Sequence, residues 1–184
     1  MEEIAARYAP QDMLRSGGGR VDGAERSRRF SLLHLDEGED YVGDWQASMR
    51  APEGSLDPYP GAVAAADSNG KLRGRIRLLS CSVLFDPDDV VAPMLKFPLG
   101  SVRRLEALGG SADAFELVCA RTVAIRPGGR DVDYTVDPDA LKLGAWRFDL
   151  SHQPAGKVLE PLGQLIAIHQ IKSTPERRSA LETL

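Results

Sequence analysis

One stretch of the chain, residues 71–87, constrains the fold more than any other. It reads KLRGRIRLLSCSVLFDP and begins with strict alternation. Because successive side chains of a β-strand point to opposite faces, four cations share one face and four apolar or small residues share the other. The first set is Lys71, Arg73, Arg75 and Arg77, and the second is Leu72, Gly74, Ile76 and Leu78. Ser80-Cys81-Ser82 permits a tight turn before the next apolar strand, so the stretch predicts an amphipathic β-hairpin.

Turn residues divide the rest of the chain into further short strands. The strand candidates are Phe30–Leu35, Leu72–Leu79, Ser82–Phe85, Met94–Leu105, Phe115–Ile125, Asp131–Val136 and Ala145–Leu150. The gaps between them contain turn chemistry such as Gly109-Gly110, Pro127-Gly128-Gly129 and Asp137-Pro138. Several strands at this spacing indicate an antiparallel sandwich or barrel. We therefore expect a mainly β fold of six to seven strands.

An amphipathic helix is expected to close the fold. Between Lys157 and Ile171, apolar residues recur at helical spacing and form one broad face: Val158, Leu159, Leu162, Leu165 and Ile166. Proline is tolerated in the first turn of a helix, where the N–H groups lack intrahelical partners. The position of Pro161 therefore predicts that the helix begins near Lys157 to Glu160. Such a helix would cap one end of the sheet.

The chain divides into one domain with flanking segments. Residues 1–28 contain Gly17-Gly18-Gly19 and are expected to form a flexible arm, and residues 173–184 a polar tail. The domain between them, residues 29–172, includes a stretch rich in Pro, Gly and Ala at 51–70, which we interpret as a long surface loop. A chain of 184 residues is long enough for one such domain.

Charge and composition exclude several classes of function. The first 70 residues hold 7 Lys and Arg against 13 Asp and Glu, and the remainder holds 16 against 14. Neither part has the dense positive charge that general nucleic-acid binding needs. The sequence has no apolar run long enough to cross a membrane, and its acidic start, Met1-Glu2-Glu3, does not resemble a secretory signal. We expect a cytoplasmic protein with Cys81 and Cys119 as reduced thiols.

No motif for catalysis, a cofactor or a metal ion is found. His34, His152 and His169 have no Cys or carboxylate at the spacing of known metal sites. Cys119 lies between Val118 and Ala120 in a predicted strand, where a cysteine is usually a core residue. The glycine-rich stretches lack the residues of phosphate-binding loops. We therefore expect no catalytic, cofactor-binding or metal-binding residues.

The cationic face of the hairpin is the best candidate for binding. Lys71, Arg73, Arg75 and Arg77 could hold phosphoinositide headgroups, and Arg103-Arg104 could extend the same patch. The plainer interpretation is a solvated strand face that keeps the protein soluble and protects a sheet edge, and we favour it. Four exposed cations would contribute only about 1 kcal/mol each at an anionic membrane. Any membrane association through them should thus be weak and sensitive to salt.

Four sequence motifs, in order, resemble those of one protein family. Residues 73–87 show Arg-Gly, alternating apolar residues, Ser-x-Ser and a final Phe-Asp-Pro. Upstream lies Arg29-Phe30-Ser31-Leu32-Leu33, and downstream lie Pro93–Leu99 and the segment Gly156–His169. Together they resemble the N-terminal GRAM/PH-like domain of the FAN family (factor associated with neutral sphingomyelinase activation) of BEACH and WD-repeat proteins. The resemblance covers Arg29 to Ile171.

The resemblance implies a PH superfold and an adaptor that is not an enzyme. It implies partners among other protein domains, including the BEACH region of the same full-length protein, in signalling or membrane traffic. The alternative that it leaves open is a phosphoinositide-binding module that brings a cytoplasmic protein to the membrane surface. Since the chain itself shows no BEACH domain or WD repeats, it would be a fragment or a truncated relative of the family.

Overall fold

The structure, a computed structural model, describes residues 36–53, 56, 60–109, 111–127, 134–141, 144–171 and 179–181. Nine strands are present in this part of the chain: β1 Tyr41–Arg50, β2 Lys71–Leu79, β3 Ser82–Pro87, β4 Met94–Pro98, β5 Val102–Ala107, β6 Ala114–Cys119, β7 Thr122–Pro127, β8 Tyr134–Leu141 and β9 Gly144–Leu150. The α-helices α1 Pro60–Ala65 and α2 Gly156–His169 accompany them, and residues 179–181 are also helical. A 3-10 turn, Leu99–Ser101, joins β4 to β5.

The strands form one antiparallel sheet in the order β5-β6-β9-β1-β2-β3-β4-β7-β8. Strand β1 joins its two halves, because it pairs with β2 along nearly its whole length and with β9 through Ala47–Arg50. The mainly β antiparallel fold with a C-terminal helix is confirmed. The number of strands was underestimated, since nine are present where six to seven are expected.

Two of the predicted strands are each divided in two. Met94–Leu105 is broken by the 3-10 turn into β4 and β5, and Phe115–Ile125 is broken at Ala120 and Arg121 into β6 and β7. The two breaks lie together. The Ser101 hydroxyl donates to the carbonyl of Arg121 at 3.0 Å, and the Ala120 N–H donates to the carbonyl of Ser101 at 2.8 Å. At this corner the chain changes neighbours, because β4 pairs with β7 whereas β5 pairs with β6.

Other boundaries also differ from the sequence prediction. Strand β1 was not predicted at all, and β8 begins at Tyr134 and ends at Leu141, later than Asp131–Val136. The segment 51–70 is not entirely loop, because it contains α1, whose Ala62 is fully buried. The predicted strand Phe30–Leu35, the arm at 1–28 and the boundary at 172/173 lie outside the described residues and remain predictions.

One core joins the sheet to the closing helix. The inward side chains of the strands and the apolar face of α2 belong to a single cluster, which includes Ile76, Leu78, Phe85, Phe97, Leu117, Trp146, Phe148, Leu162 and Ile166. The rings of Phe97 and Trp146 meet edge-on, with centroids 5.2 Å apart, whereas those of Phe115 and Phe148 are stacked. The expected apolar face of the helix is confirmed, and α2 packs against the 3-10 turn and β5. The helix therefore closes one end of the folded sheet.

The helix begins slightly earlier than Pro161 led us to expect. It starts at Gly156, so Pro161 lies in the second turn and cannot donate to the carbonyl of Lys157. Lys157 is exposed, so water can satisfy that carbonyl. At the other end, a ring nitrogen of His169 lies 2.8 Å from the carbonyl oxygen of Ser80 in the β2–β3 turn. This contact connects the helix end to the hairpin.

Candidate interaction face

The outer face of β2 carries the four cations that the alternation predicted. Leu72, Gly74, Ile76 and Leu78 are buried on the inner face, whereas the side chains between them point outward. A turn ahead of the strand fixes its start, because Asp67 Oδ1 accepts from the N–H groups of Asn69 and Lys71 at 2.8 and 2.9 Å. These two backbone hydrogen bonds hold the pKa of Asp67 below its ordinary value. The prediction that the four cations point outward is thus confirmed. Their binding of phosphoinositides stays a prediction.

Two of the four cations are neutralised by carboxylates of the neighbouring strands. Arg75 and Arg77 both contact Oδ2 of Asp44 on β1, at 2.7 and 3.1 Å. Arg77 also contacts Asp86 on β3 at 3.0 Å, and its side chain is only 11% exposed. Because the charge of Arg77 is committed to these carboxylates, it stabilises the sheet and is poorly placed to meet a ligand. At the C-terminal end of β2, the outer face therefore carries a network of alternating positive and negative charges.

The other end of β2 collects additional cations from β1 and β9. Lys71 lies opposite Arg50 on β1, and Arg50 lies opposite Arg147 on β9, so three cations form a row across the sheet. Arg73 lies next to this row on the same outer face of β2. We call Arg50, Lys71, Arg73 and Arg147 the basic patch. Arg50 and Arg147 were not predicted from the sequence, because only the strand pairing brings them beside β2.

A single carboxylate lies among the four cations. Asp149 Oδ2 is 2.9 Å from Lys71 Nζ, and its Oδ1 is 3.2 Å from Arg147 Nη2. Burial opposes ionisation of Asp149, but the hydrogen bond from Lys71 and the charges of Lys71 and Arg147 outweigh it and lower the pKa of that carboxyl. Arg50 and Arg73 are both exposed, and neither forms an ion pair with a residue in the described ranges. The patch therefore keeps an excess of positive charge.

Arg103 and Arg104 do not extend this surface. Both lie on β5, and the strands β6, β9 and β1 separate β5 from β2. At about 4.8 Å between neighbouring strands, the separation along the sheet is about 19 Å. Arg104 is paired with Glu116 at 2.6 Å and lies near Glu106 at 3.6 Å. The structure thus divides the predicted binding residues into two unconnected groups.

A buried ion pair lies on the outer side of β3 and β4. Lys96 Nζ donates to Glu39 Oε2 at 2.9 Å, and the Ser82 hydroxyl donates to Glu39 Oε1 at 2.6 Å. Beside it, Leu79, Leu84, Met94 and Ile125 form a small buried apolar cluster. The sequence signal for this pair is the lone cation in the apolar run Met94–Phe97, since a buried charge requires a partner. It has a structural role, because both charges are hidden from any ligand.

Exposed apolar side chains occur at one end of the β1–β4 meander. Val63 on α1 is 55% exposed, and Val90 and Val91 in the β3–β4 loop are 42% and 65% exposed. Alternate connections of an antiparallel meander lie at the same end, so these residues flank the end of β2 that bears the basic patch. Asp88 and Asp89 lie in the same loop as Val90 and are exposed. The β3–β4 loop therefore exposes both apolar and acidic side chains.

Neither cysteine has the character of a nucleophile. Burial raises the pKa of the Cys119 thiol to about 12, and burial likewise raises the pKa of Cys81. Both are free thiols. Among the described residues, no group of His, Cys, Asp and Glu side chains is arranged to hold a metal ion. In the same part of the chain, no helix is long and apolar enough to cross a membrane.

A comparison with protein families gives one match over most of the chain. The model of the FAN protein N-terminal PH domain matches residues 20–180. This range contains all nine strands and the helices α1 and α2. It also contains every residue of the basic patch, so the candidate face lies within the part of the chain that is similar to that family.

Proposed function

Because this chain belongs to the family of FAN N-terminal PH domains, we propose that it is a non-catalytic adaptor module that docks onto other protein domains. The partner that suits such a module best is the BEACH region of a FAN-type protein, and the setting is signalling or membrane traffic in the cytoplasm. The proposal concerns the role of the domain, since PH-like folds support many functions and the role depends on the surface.

The mixed charge of the outer face is the observation that carries the proposal. Arg75 and Arg77 are held by Asp44, and on the other side of the basic patch Glu116 lies opposite Arg147. A flat anionic membrane would face these carboxylates together with the cations. A protein partner can instead place its own charges individually against each of them. The alternation of charge therefore favours a protein partner over a uniformly anionic surface.

The buried side chains also support a non-catalytic role. The Cys119 thiol is fully buried and its raised pKa keeps it protonated at neutral pH, whereas a nucleophile requires the thiolate. His169 is engaged with the carbonyl of Ser80 in a structural contact. Glu39 and Lys96 are hydrogen-bonded to each other inside the fold.

Phosphoinositide binding is the second candidate function. The excess positive charge of the basic patch favours it, since Arg50 and Arg73 are exposed beside Lys71. The acidic residues of the adjacent loop, Asp88 and Asp89, would weaken the approach of an anionic membrane. The net charge of the whole chain, −4, acts in the same direction. A second membrane signal would have to come from another part of a larger protein.

Vesicle co-sedimentation separates the two candidates. Phosphatidylcholine vesicles with and without phosphatidylinositol 4,5-bisphosphate are mixed with the full 184-residue chain at low and at physiological salt. We expect the chain to remain in the supernatant in all four conditions. Sedimentation that requires the phosphoinositide and disappears in R50Q/R73Q would instead establish lipid binding, and the docking proposal would be rejected.

A titration with a BEACH region tests docking directly. The chain is titrated into the purified BEACH region of a FAN-family protein, and the heat of binding is measured. We expect saturable binding, with R103Q/R121Q as a surface control outside the basic patch. If no heat of binding appears over a wide concentration range and the chain also does not sediment with the vesicles, the BEACH region is not the partner.

A further inference from the structure

The basic patch is built differently from an ordinary charged strand face. Cross-strand neighbours have Cβ atoms about 4.5–5.5 Å apart, and like charges at that distance destabilise a sheet. Lys71, Arg50 and Arg147 nevertheless occupy three consecutive strands in one row. Of the carboxylates in the described part of the chain, only Asp149 lies among them, and it contacts Lys71 and Arg147 but not Arg50. The row therefore retains unfavourable repulsion that an added anion would relieve.

The geometry gives a common target to two arginines that form no ion pair with a described residue. Arg50 lies opposite Lys71, and Arg73 is two residues further along the same face of β2. Such diagonal neighbours are about 7–8 Å apart, within reach of each other for long side chains. Ser48, opposite both Arg73 and Asp149, adds a hydroxyl that points outward between them. Two guanidinium groups and one hydroxyl can thus converge on one bound group.

We infer that the basic patch binds a carboxylate-rich segment of the docked protein. Planar guanidinium groups match carboxylates through paired hydrogen bonds, so Arg50 and Arg73 suit this chemistry well. Asp149 lies within the patch and repels a doubly charged phosphate more strongly than a singly charged carboxylate. This inference rests on the proposed docking function and adds the surface and the chemistry of its partner.

The surroundings of the patch favour a narrow segment. On the β9 side the row continues into two glutamates. Glu116 on β6 lies opposite Arg147, and Glu106 on β5 lies opposite Glu116. On the β2 side Arg75 and Arg77 are neutralised by Asp44. Positive charge is therefore confined to a strip that crosses β2, β1 and β9. An extended acidic peptide can follow that strip, whereas a membrane would also press against the flanking carboxylates.

Fluorescence anisotropy with a labelled oligoglutamate peptide tests the inference on the full chain. Oligoglutamine of the same length is the neutral control, and R50Q/R73Q is compared with R103Q/R121Q. Each double variant removes two arginines with exposed side chains, so both have the same net charge. We expect R50Q/R73Q to weaken oligoglutamate binding about 10-fold and R103Q/R121Q to change it by less than about 2-fold. The affinity of the wild type should fall as salt is raised.

The outcomes distinguish this inference from the proposed function. Equal losses in the two double variants, or no oligoglutamate binding at low salt, would overturn the assignment of this surface. If the BEACH titration still succeeds, docking stands and uses another face. If vesicles with phosphatidylinositol 4,5-bisphosphate bind through Arg50 and Arg73 while oligoglutamate does not, both the inference and the docking proposal are overturned. Coincident thermal unfolding of the variants and the wild type shows that folding is intact.

Discussion

At the scale of single residues, the Glu39–Lys96 pair shows how a charge is accommodated inside this fold. Glu39 accepts hydrogen bonds from Lys96, from the Ser82 hydroxyl and from the backbone N–H of Asp36. The Glu39 side chain is fully buried, and that of Lys96 is 9% exposed. Such a pair contributes little beyond an apolar replacement, but breaking it leaves a buried charge without compensation. The pair therefore ties the segment before β1 to β3 and β4.

We expect Glu39→Ala to lower the free energy of unfolding by about 3 kcal/mol, because Lys96 would lose its buried counter-ion and keep only the contact with Asp36, whose side chain is 74% exposed. Urea denaturation followed by circular dichroism measures the change. The double variant E39L/K96M, which removes both charges, should recover most of the loss. Glu37→Ala is the matched control, since Glu37 is exposed in the same segment. An unchanged midpoint in E39A would show that the pair is not buried in solution.

Asp149 makes stability depend on pH. Its pKa is lowered in the folded state, so it stabilises the fold above the ordinary carboxyl value of about 3.9. That contribution is lost as the pH falls through the lower folded value. We expect Asp149→Asn to reduce the loss of stability between neutral pH and about pH 3, as measured by chemical denaturation across that range. Asp88→Asn, at an exposed loop position, is the control, and equal pH profiles of the two variants would contradict the prediction.

At the scale of elements, the strands with clear alternation and clear turns were predicted and the others were not. Strand β2 differs by one residue from its prediction, because charged and apolar residues alternate without interruption. Strand β1 does alternate from Trp45 to Arg50, but Gly43 and Asp44 resemble turn residues and obscured it. The break between β6 and β7 has no Gly or Pro at all. It is produced by hydrogen bonds to Ser101, which a one-dimensional pattern does not contain.

The closing helix should be essential to the stability of the sheet. Leu162 is fully buried in the same cluster as Ile76 and Phe97. Leu162→Ala removes part of the apolar packing of this cluster and leaves a cavity, so we expect it to lower the free energy of unfolding by about 2–5 kcal/mol. Gln164→Ala, on the exposed side of the same helix, should change it by less than about 0.5 kcal/mol. Equal, small effects in urea titrations of both variants would mean that α2 is detached.

At the scale of the whole molecule, sequence predicts which way a side chain faces better than it predicts what the side chain meets. Alternation placed Lys71, Arg73 and Arg75 outward, and the structure agrees. Their partners come from distant parts of the chain, since Asp44 lies on β1 and Asp149 on β9. The order and register of the strands decide these pairings, and neither can be read from a single sequence. Arg103 and Arg104 were joined to the stripe for the same reason, without knowledge of the three intervening strands.

A single core should give a single unfolding transition. The buried cluster contains residues from both halves of the sheet and from α2, and the fully buried Trp146 packs against Phe97 within it. We therefore expect tryptophan fluorescence and far-ultraviolet circular dichroism to report the same midpoint in urea. Transitions that separate would show that the β5-β6-β9 part unfolds independently of β2-β3-β4.

The pairing of β1 with β9 has a consequence for synthesis of the protein on the ribosome. Ala47 is paired with Leu150, so the two strands are translated almost the whole length of the domain apart. After β2 has emerged and paired with one side of β1, the hydrogen-bonding groups on the other side of β1 still await a partner. Unpaired strand edges of this kind invite association with other chains. The nascent domain therefore remains open to such association until β9 has left the exit tunnel.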